Sequence, residues 1–377
     1  MPSSSRLPPL PDAPPAPRKA VPRFAAPADE PSPAEPKKSR WLKLRGGAFG
    51  TATLTLLAVV IAGVVLRFTV KDGFAPLAPA FYALSVPMLV VLSLAAALTG
   101  ALALGLKLTF KRCLLIVALG VLGAMNAAIF LFQDATFDDR PRVVLWNTAR
   151  GVAGWEGVAD ALEANNPTLA VLVESGEDEA AEAFWNERFG DRYFLARPGR
   201  GITILSRGPI GRVEPFELEG GGIAVSVKAQ IDGQRVALLA VDLPANPFRD
   251  REAPLKRIAE LADELAENRP TLVAGDFNTP PDSVHFGPLR RGGFVHAFER
   301  HGSGYAATWP VPAPALHVDH VWMSPGFDAG ETWHGWTASS DHRPVLLPVR
   351  VAPQRFADYQ AARALAAESR TDAPLNE

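Results

Sequence analysis

Between Gly47 and Phe132 the chain carries almost nothing but apolar side chains, and this run limits the possible folds more than any other feature. Such a run belongs either in a bilayer or in the interior of a large bundle. It divides into three stretches, residues 51–68, 78–106 and 113–132, separated by two short charged segments. Each approaches or exceeds the roughly 20 residues that a helix needs to cross hydrocarbon. Helices buried in a soluble bundle keep a polar stripe, and none of these stretches has one. The expectation is a membrane domain of three transmembrane helices over residues 47–133. A cleaved signal peptide fits poorly, because the first apolar run starts far from Met1 and two more follow it.

Basic residues set the expected orientation. Lys37, Lys38, Arg40, Lys43 and Arg45 precede the first stretch, and Lys107, Lys111 and Arg112 lie between the second and third. The segment around Lys71 and Asp72 is nearly neutral. Positive charge stays on the cytoplasmic side, so the N-terminus is expected in the cytoplasm and everything after about residue 134 outside it, in an integral protein of the cell membrane. Residues 1–46 read as a disordered cytoplasmic tail. Stretches such as PPLPDAPPAP and PADEPSPAEP have too few large apolar side chains to offset the entropy of ordering. The single cysteine, Cys113, cannot form an intramolecular disulfide, so the exported part must be stable without one.

Residues 134–352 read as one globular domain, followed by a C-terminal tail over 353–377. Strand and helix signals alternate along it. Residues 142–146, 168–173, 202–205, 224–230, 235–241 and 271–274 are strand-like, and Asp232-Gly233 is a strong hairpin signal between the fourth and fifth of these. Residues 157–163 look helical, and Leu255, Ile258, Leu261 and Leu265 share one helical face. Several strands end in oxygen-bearing side chains: Asn147, Glu174, Asp242, and Asp276 with Asn278 in VAGDFNTPP. Singly, each reads equally well as a turn former or helix cap. If the strands end together, the same oxygens converge on one rim, where they suit a hard cation.

VVLWN, VLVESG, GITILSR, AGDFNTPP, TW, VDHV and SDHRPV occur in that order over about residues 142–350. In this the chain resembles the endonuclease/exonuclease/phosphatase family of metal-dependent phosphoesterases. The resemblance implies an α/β fold: a four-layered sandwich of two packed, mostly antiparallel sheets flanked by helices. It implies that Glu174 is the principal metal carboxylate, with Asn147 and Asp341 beside it. Asp276 and Asn278 would hold the attacking water and the scissile phosphate, and Asp319 would orient His342. Where many members have His after a strand, this chain has Asp242, which replaces a phosphate donor with a carboxylate.

The ligand set of Asp, Glu and Asn oxygens, with no cysteine cluster and no HExxH, favours Mg2+ or Mn2+ over zinc. A divalent ion would neutralise an anionic ester and fix the nucleophile. The expected activity is hydrolysis of a phosphate ester, foremost a phosphodiester, outside the cytoplasm. A lipid-headgroup phosphodiesterase, or a catalytically weakened binding protein on the same fold, is the alternative. Residues 140–350 carry 21 Lys and Arg against 28 Asp and Glu, so the domain is acidic. Tight nonspecific binding of duplex DNA needs a basic face. The substrate is therefore expected to be a short or single-stranded nucleic acid or a lipid headgroup, and no protein partner is inferable. His285, His296, His301, His317 and His334 match no motif position and read as surface or structural, with His320 packing behind Asp319.

Overall fold

A computed structural model describes residues 37–103 and 138–371, with side chains over 47–103 and 138–365. Helix α1 (Lys37–Phe68) carries the first apolar stretch and α3 (Val86–Ala103) the second. Gly47–Phe68 and Val86–Ala103 are each long and apolar enough to cross a membrane, and few of their residues are buried within the protein. Leu54 is 71% exposed and Leu94 66%. The second stretch is shorter than expected, because its first residues form a separate short helix, α2 (Ala78–Ala83). Pro87 explains the break: proline suits the first turn of α3, but inside one continuous helix it would remove a hydrogen bond and clash with the preceding turn. The third stretch, residues 113–132, lies outside the described residues. Small side chains bring α1 and α3 together, with Thr53 Oγ1 donating to Thr99 Oγ1 at 2.9 Å.

Residues 138–371 contain two mixed sheets. The first runs β11 (Phe327–Ala329), β13 (Val345–Val351), β1 (Arg142–Asn147), β2 (Leu169–Val173), β4 (Ile202–Ser206), β3 (Phe194–Gly199), with β12 (Trp333–His334) also on β13. The second runs β5 (Val213–Glu217), β6 (Ile223–Ile231), β7 (Gln234–Asp242), β8 (Thr271–Asp276), β10 (Asp319–Met323), β9 (Val295–His296). Pairing is antiparallel except for one parallel pair in each sheet, β1 with β2 and β7 with β8. Parallel neighbours need a crossover, supplied here by α4 (Trp155–Asn165) and α6 (Glu252–Ala266). The hairpin between β6 and β7 turns on Asp232 (φ 52°) and Gly233 (φ 73°), both left-handed as a two-residue turn with strand-matched twist requires.

Apolar residues alternate between the faces and fill three zones. Val143, Leu145, Val171, Val225, Leu238, Leu272 and Val321 lie between the sheets. Outside the first sheet, Trp146 and Leu172 pack on α4 and α5 (Glu179–Phe189) through Val158, Leu162 and Trp185. Outside the second, Val273, Phe277 and Trp322 pack on α6 and α7 (Gly287–Arg291). The result is the four-layered order of helix, sheet, sheet, helix. A short helix, α8 (Ala297–His301), follows β9. A last helix, α9 (Pro353–Thr371), lies along α6, where Gln360 Nε2 donates to Ala266 O at 2.7 Å.

The end of α1 and the segment after it touch this domain. Arg67 Nη1 pairs with Asp282 Oδ2 at 2.5 Å, Lys71 Nζ donates to Asp282 O at 2.8 Å, and Asp72 Oδ1 accepts from Val284 N at 3.1 Å. Arg67 and Asp72 are both buried in the contact.

Candidate active site

The two parallel pairs decide where chemistry gathers. Parallel neighbours end on the same side, so β1 and β2 deliver Asn147 and Glu174 to one rim, and β7 and β8 deliver Asp242 and Asp276. Their antiparallel partners begin at that rim. Asp319 opens β10 directly opposite Asp276, and Val345 of β13, just past Asp341 and His342, pairs with Leu145.

The strand ends are closely built. Gly275 precedes Asp276 because β7 passes too near for a side chain: a Cβ there would lie 1.9 Å from Val241 O. Beyond the strands, Glu174 (φ 49°) and Asn278 (φ 46°) adopt left-handed backbone, as do Ala149 and Arg150 (φ 49° and 54°). Each such residue without a glycine costs on the order of 1–3 kcal/mol, and such strain concentrates at functional sites.

A single network joins the side chains. Asn147 Nδ2 donates to Asp276 Oδ2 at 3.0 Å and to Glu174 Oε1 at 3.4 Å. Asn278 Nδ2 donates to Asp276 Oδ2 at 3.1 Å and to Leu243 O at 2.7 Å, while its backbone N–H donates to Asp276 Oδ1 at 2.9 Å. His342 Nδ1 faces Asp319 Oδ2 at 2.9 Å. Ligating atoms of Asp276, Asp319 and His342 all lie within 4.8 Å of one another. Asn147, Asp276 and Asp319 are almost completely buried, whereas Glu174 and Asn278 are half-buried and face the opening.

The charges are compressed. Burial, with the Asp319 charge next in weight, holds the Asp276 carboxyl well above its ordinary range, against the opposing pull of His342. Burial and then Glu174 push Asp242 up to about 7, with Arg150 and Arg200 opposing. Burial alone would lower the His342 imidazole, but Asp319, Asp276 and Asp341 outweigh it and raise it to about 9. Carboxylates crowded in this way call for a cation. Among the described residues, Asp319 Oδ1 is buried without a hydrogen-bond partner. Glu174 Oε2 is met at 3.1 Å by Arg150, whose side chain is 77% exposed and free to withdraw. Glu174 and Asp276 therefore fit a divalent ion by donor type and by charge, and Asn147 would join them through Oδ1 on a flip of its amide that releases the bond from Ala149 N.

Seven of the eight residues singled out in the sequence share this rim, but Asp341 stands somewhat apart. It is exposed, and its Oδ2 accepts from Trp309 Nε1 at 3.0 Å. Three contributors escaped sequence reading. Arg150 has no motif to mark it. Trp309 appears only as part of TW. Ser340 joins the two halves, donating to Asn147 O at 2.8 Å and accepting from His342 N at 3.0 Å. Asp242 is half-buried beside Asp276, and its neighbour Leu243 N donates to Asp276 O at 2.9 Å.

Comparison with known proteins follows the same lines. Residues 144–342 match the sequence profile of the Endonuclease/Exonuclease/phosphatase family. The uncharacterized protein YbhP of Escherichia coli K12 is 26% identical over 182 residues, 45% of this chain and 71% of that protein. Among solved structures, an endonuclease/exonuclease/phosphatase from Beutenbergia cavernae aligns at 18% identity over 56% of this chain and 72% of its own, with a TM-score of 0.45. The mannosyl-6-phosphatase of Bacteroides thetaiotaomicron aligns at 15% identity over 56% and 99%, with a TM-score of 0.48. The human Nocturnin catalytic domain aligns at 16% identity over 58% and 97%, with a TM-score of 0.47.

Proposed function

The chain belongs to the endonuclease/exonuclease/phosphatase family, whose members generally hydrolyse phosphoesters and typically use divalent metals, and on that premise we propose that it is a membrane-anchored, Mg2+- or Mn2+-dependent phosphodiesterase acting outside the cytoplasm. The observation that carries this reading is the convergence of Asp276, Asp319 and His342 within 4.8 Å, with Asn147 and Glu174 bonded into the same network.

Glu174 and Asn147 would hold the ion, with Asp341 available to join them on release of the bond it accepts from Trp309. The bound ion would offset the charge of the ester and of the crowded carboxylates. Asp276 aims the attacking water. Asn278 donates to a phosphate oxygen without adding negative charge. His342, turned and held by Asp319, presents Nε2 to the phosphate as a donor. Asp242 brings a carboxylate where a donor is common, so Arg150 and Arg200, which already offset its charge, become the cations nearest the substrate on that side.

Topology draws support from the contacts made by the end of α1 and the 69–85 segment that follows it. Arg67, Lys71 and Asp72 meet Asp282 and Val284, on the stretch that follows Asn278. That contact needs the segment and the domain on the same side of the bilayer, and hence an odd number of crossings ahead of residue 138. Three spans meet this condition and two do not. Together with the basic flanks, this favours an extracytoplasmic domain.

The same contact favours a second reading of the substrate, a lipid-headgroup phosphodiester. It ties the loop carrying Asn278 to the end of a membrane helix, and Phe248, 82% exposed, lies on the loop after Asp242. The deciding experiment incubates the detergent-solubilised full chain, with Mg2+ or Mn2+, with single-stranded DNA, RNA, lipid phosphodiesters and phosphomonoesters. Glu174→Gln should abolish turnover of the accepted class while the protein stays folded. Near-normal activity of Glu174→Gln at saturating metal would refute the assignment.

A further inference from the structure

On the other face of β10 from Asp319, three buried imidazoles and the half-buried His317 pack together. His296 ends β9, His317 precedes β10, His320 lies within it, and His334 lies on β12. His296 Nε2 and His320 Nδ1 face each other at 2.9 Å. The His317 ring centre is 4.7 Å from that of His320, 5.2 Å from His296 and 5.0 Å from His334. Ligating nitrogens of His296, His317 and His320 all lie within 4.8 Å of one another.

Two features of this cluster lack an explanation in packing. Firstly, His317 Nε2 is buried with no hydrogen-bond partner among the described residues, and the ring nitrogens of His334 meet only the Tyr305 and Ala306 backbone, outside good hydrogen-bond geometry. Each unsatisfied buried group costs about 1–3 kcal/mol, a penalty that Phe or Leu at the same positions would avoid. Secondly, burial holds all four imidazoles neutral, lowering each below its ordinary range, so their lone pairs stay available. His320 is already set up as a ligand. Its Nε2 donates to Thr279 O at 2.7 Å, which leaves Nδ1 as the free base, the backbone-carbonyl support typical of metal-bound histidine.

We propose that His296, His317 and His320, with His334 beside them to complete the shell, form a structural site for a divalent transition metal of the zinc type, distinct from the oxygen-lined rim. Imidazole nitrogens without a carboxylate cluster select such borderline ions over Mg2+. A tetrahedral ion with bonds of about 2.0–2.1 Å separates its nitrogens by roughly 3.4 Å, so the His296–His320 pair opens by about half an ångström and His317 closes in. His296 must move its proton from Nε2 to Nδ1 and give up the bond from Glu299 N at 3.1 Å. With the His296–His320 bond lost as well, the cost is roughly 2–6 kcal/mol, against about 10–16 kcal/mol for a structural zinc ion. Because β12 belongs to the first sheet and β9 and β10 to the second, the ion would pin the two sheets together behind the Asp319–His342 pair.

The test titrates chelator-stripped, detergent-solubilised full chain with Zn2+ by calorimetry, in excess Mg2+, and repeats the titration with Co2+ followed by visible absorption. One ion per chain is expected, with a tetrahedral Co2+ spectrum, in both wild type and Glu174→Gln. His317→Ala and His334→Phe should weaken binding at least about 100-fold. If those variants fail to fold, zinc-edge X-ray absorption of the wild type still decides: a first shell of imidazole nitrogen supports the site, and a carboxylate-oxygen shell overturns it. The proposal also fails if folded wild type binds no stoichiometric Zn2+, if the folded histidine variants bind as wild type does, or if Glu174→Gln abolishes binding.

Discussion

Replacing Asp319 by Asn removes the charge that holds the His342 imidazole, and the structure gives the size and pH dependence of the effect. The two side chains meet at 2.9 Å with 9% and 0% exposure, so water screens them little. Burial alone would lower the imidazole, and Asp319 is the largest of the influences that raise it from 6.5 to about 9. A group whose folded pKa lies above its unfolded value stabilises the fold fully below the unfolded pKa and stops doing so as the pH rises through the folded one. The rise from 6.5 to about 9 is worth on the order of 3 kcal/mol, with Asp319 the largest contributor and Asp276 and Asp341 adding to it, so that figure is an upper bound for the charge of Asp319. This stabilisation is complete below about pH 6.5 and gone above about pH 9. At roughly 2–4 °C per kcal/mol for a domain of this size, Asp319→Asn should lower Tm by up to about 6–12 °C at pH 6 and by far less at pH 9.5. Thermal unfolding of the solubilised full chain in chelator, followed by circular dichroism across that range, measures it. A loss of equal size at both pH values would mean that Asp319 acts through packing or a neutral hydrogen bond, and would refute the electrostatic argument.

Gly275→Ala should cost more than about 3 kcal/mol, seen as failure to fold or a large drop in Tm, because the new Cβ would sit 1.9 Å from the backbone oxygen of Val241; a Tm within 2 °C or so of wild type would show that β7 and β8 are not so closely packed. If Asp242 supplies an oxygen to the ion, Asp242→Asn should raise the metal concentration needed for half-maximal rate, and Asp242→His should relieve dependence on a second ion while preserving turnover; unchanged metal titrations in both variants remove Asp242 from the site. Reporters inserted after residue 77 and after residue 350 should both be active only when exported, and activity on opposite sides of the membrane would overturn the odd-crossing topology.

The parts of this fold that could be read in the sequence are those with local signals. Leu255, Ile258 and Leu261 announce α6 by their spacing, and all three are buried. Asp232-Gly233 announces the β6–β7 turn because few other pairs accept two left-handed residues. β9 and β12 are two residues each and β11 three, too short to show any alternation. The break between α2 and α3 was hidden by hydropathy, which averages over Pro87, although the backbone does not. Most of the site was legible because its residues sit at the ends of strong strands. Arg150 and Ser340 were not, since each matters only through a partner that folding brings close: Glu174 for one, Asn147 and His342 for the other.

Strand direction is what turns these scattered ends into one site. An antiparallel sheet alternates its chain ends between two rims, so four consecutive strands would divide their terminal residues equally. Here each sheet contains one parallel pair, and each pair brings two strand ends to the same rim. β10, running against β8, adds its first residue there. The stretch that enters β13 adds His342. The crowding of carboxylates therefore follows from topology, and only afterwards from the identity of the residues. A chain that places Glu174, Asp242, Asp276 and Asp319 on one rim must keep protons on some of them, as the raised Asp242 and Asp276 carboxyls indicate, or bind positive charge. Arg150 answers part of that need at Glu174, and His342 part of it at Asp319. Asp319 Oδ1, buried and without a hydrogen-bond partner among the described residues, shows that these two cations leave acceptor capacity unmet, and a divalent ion would use it.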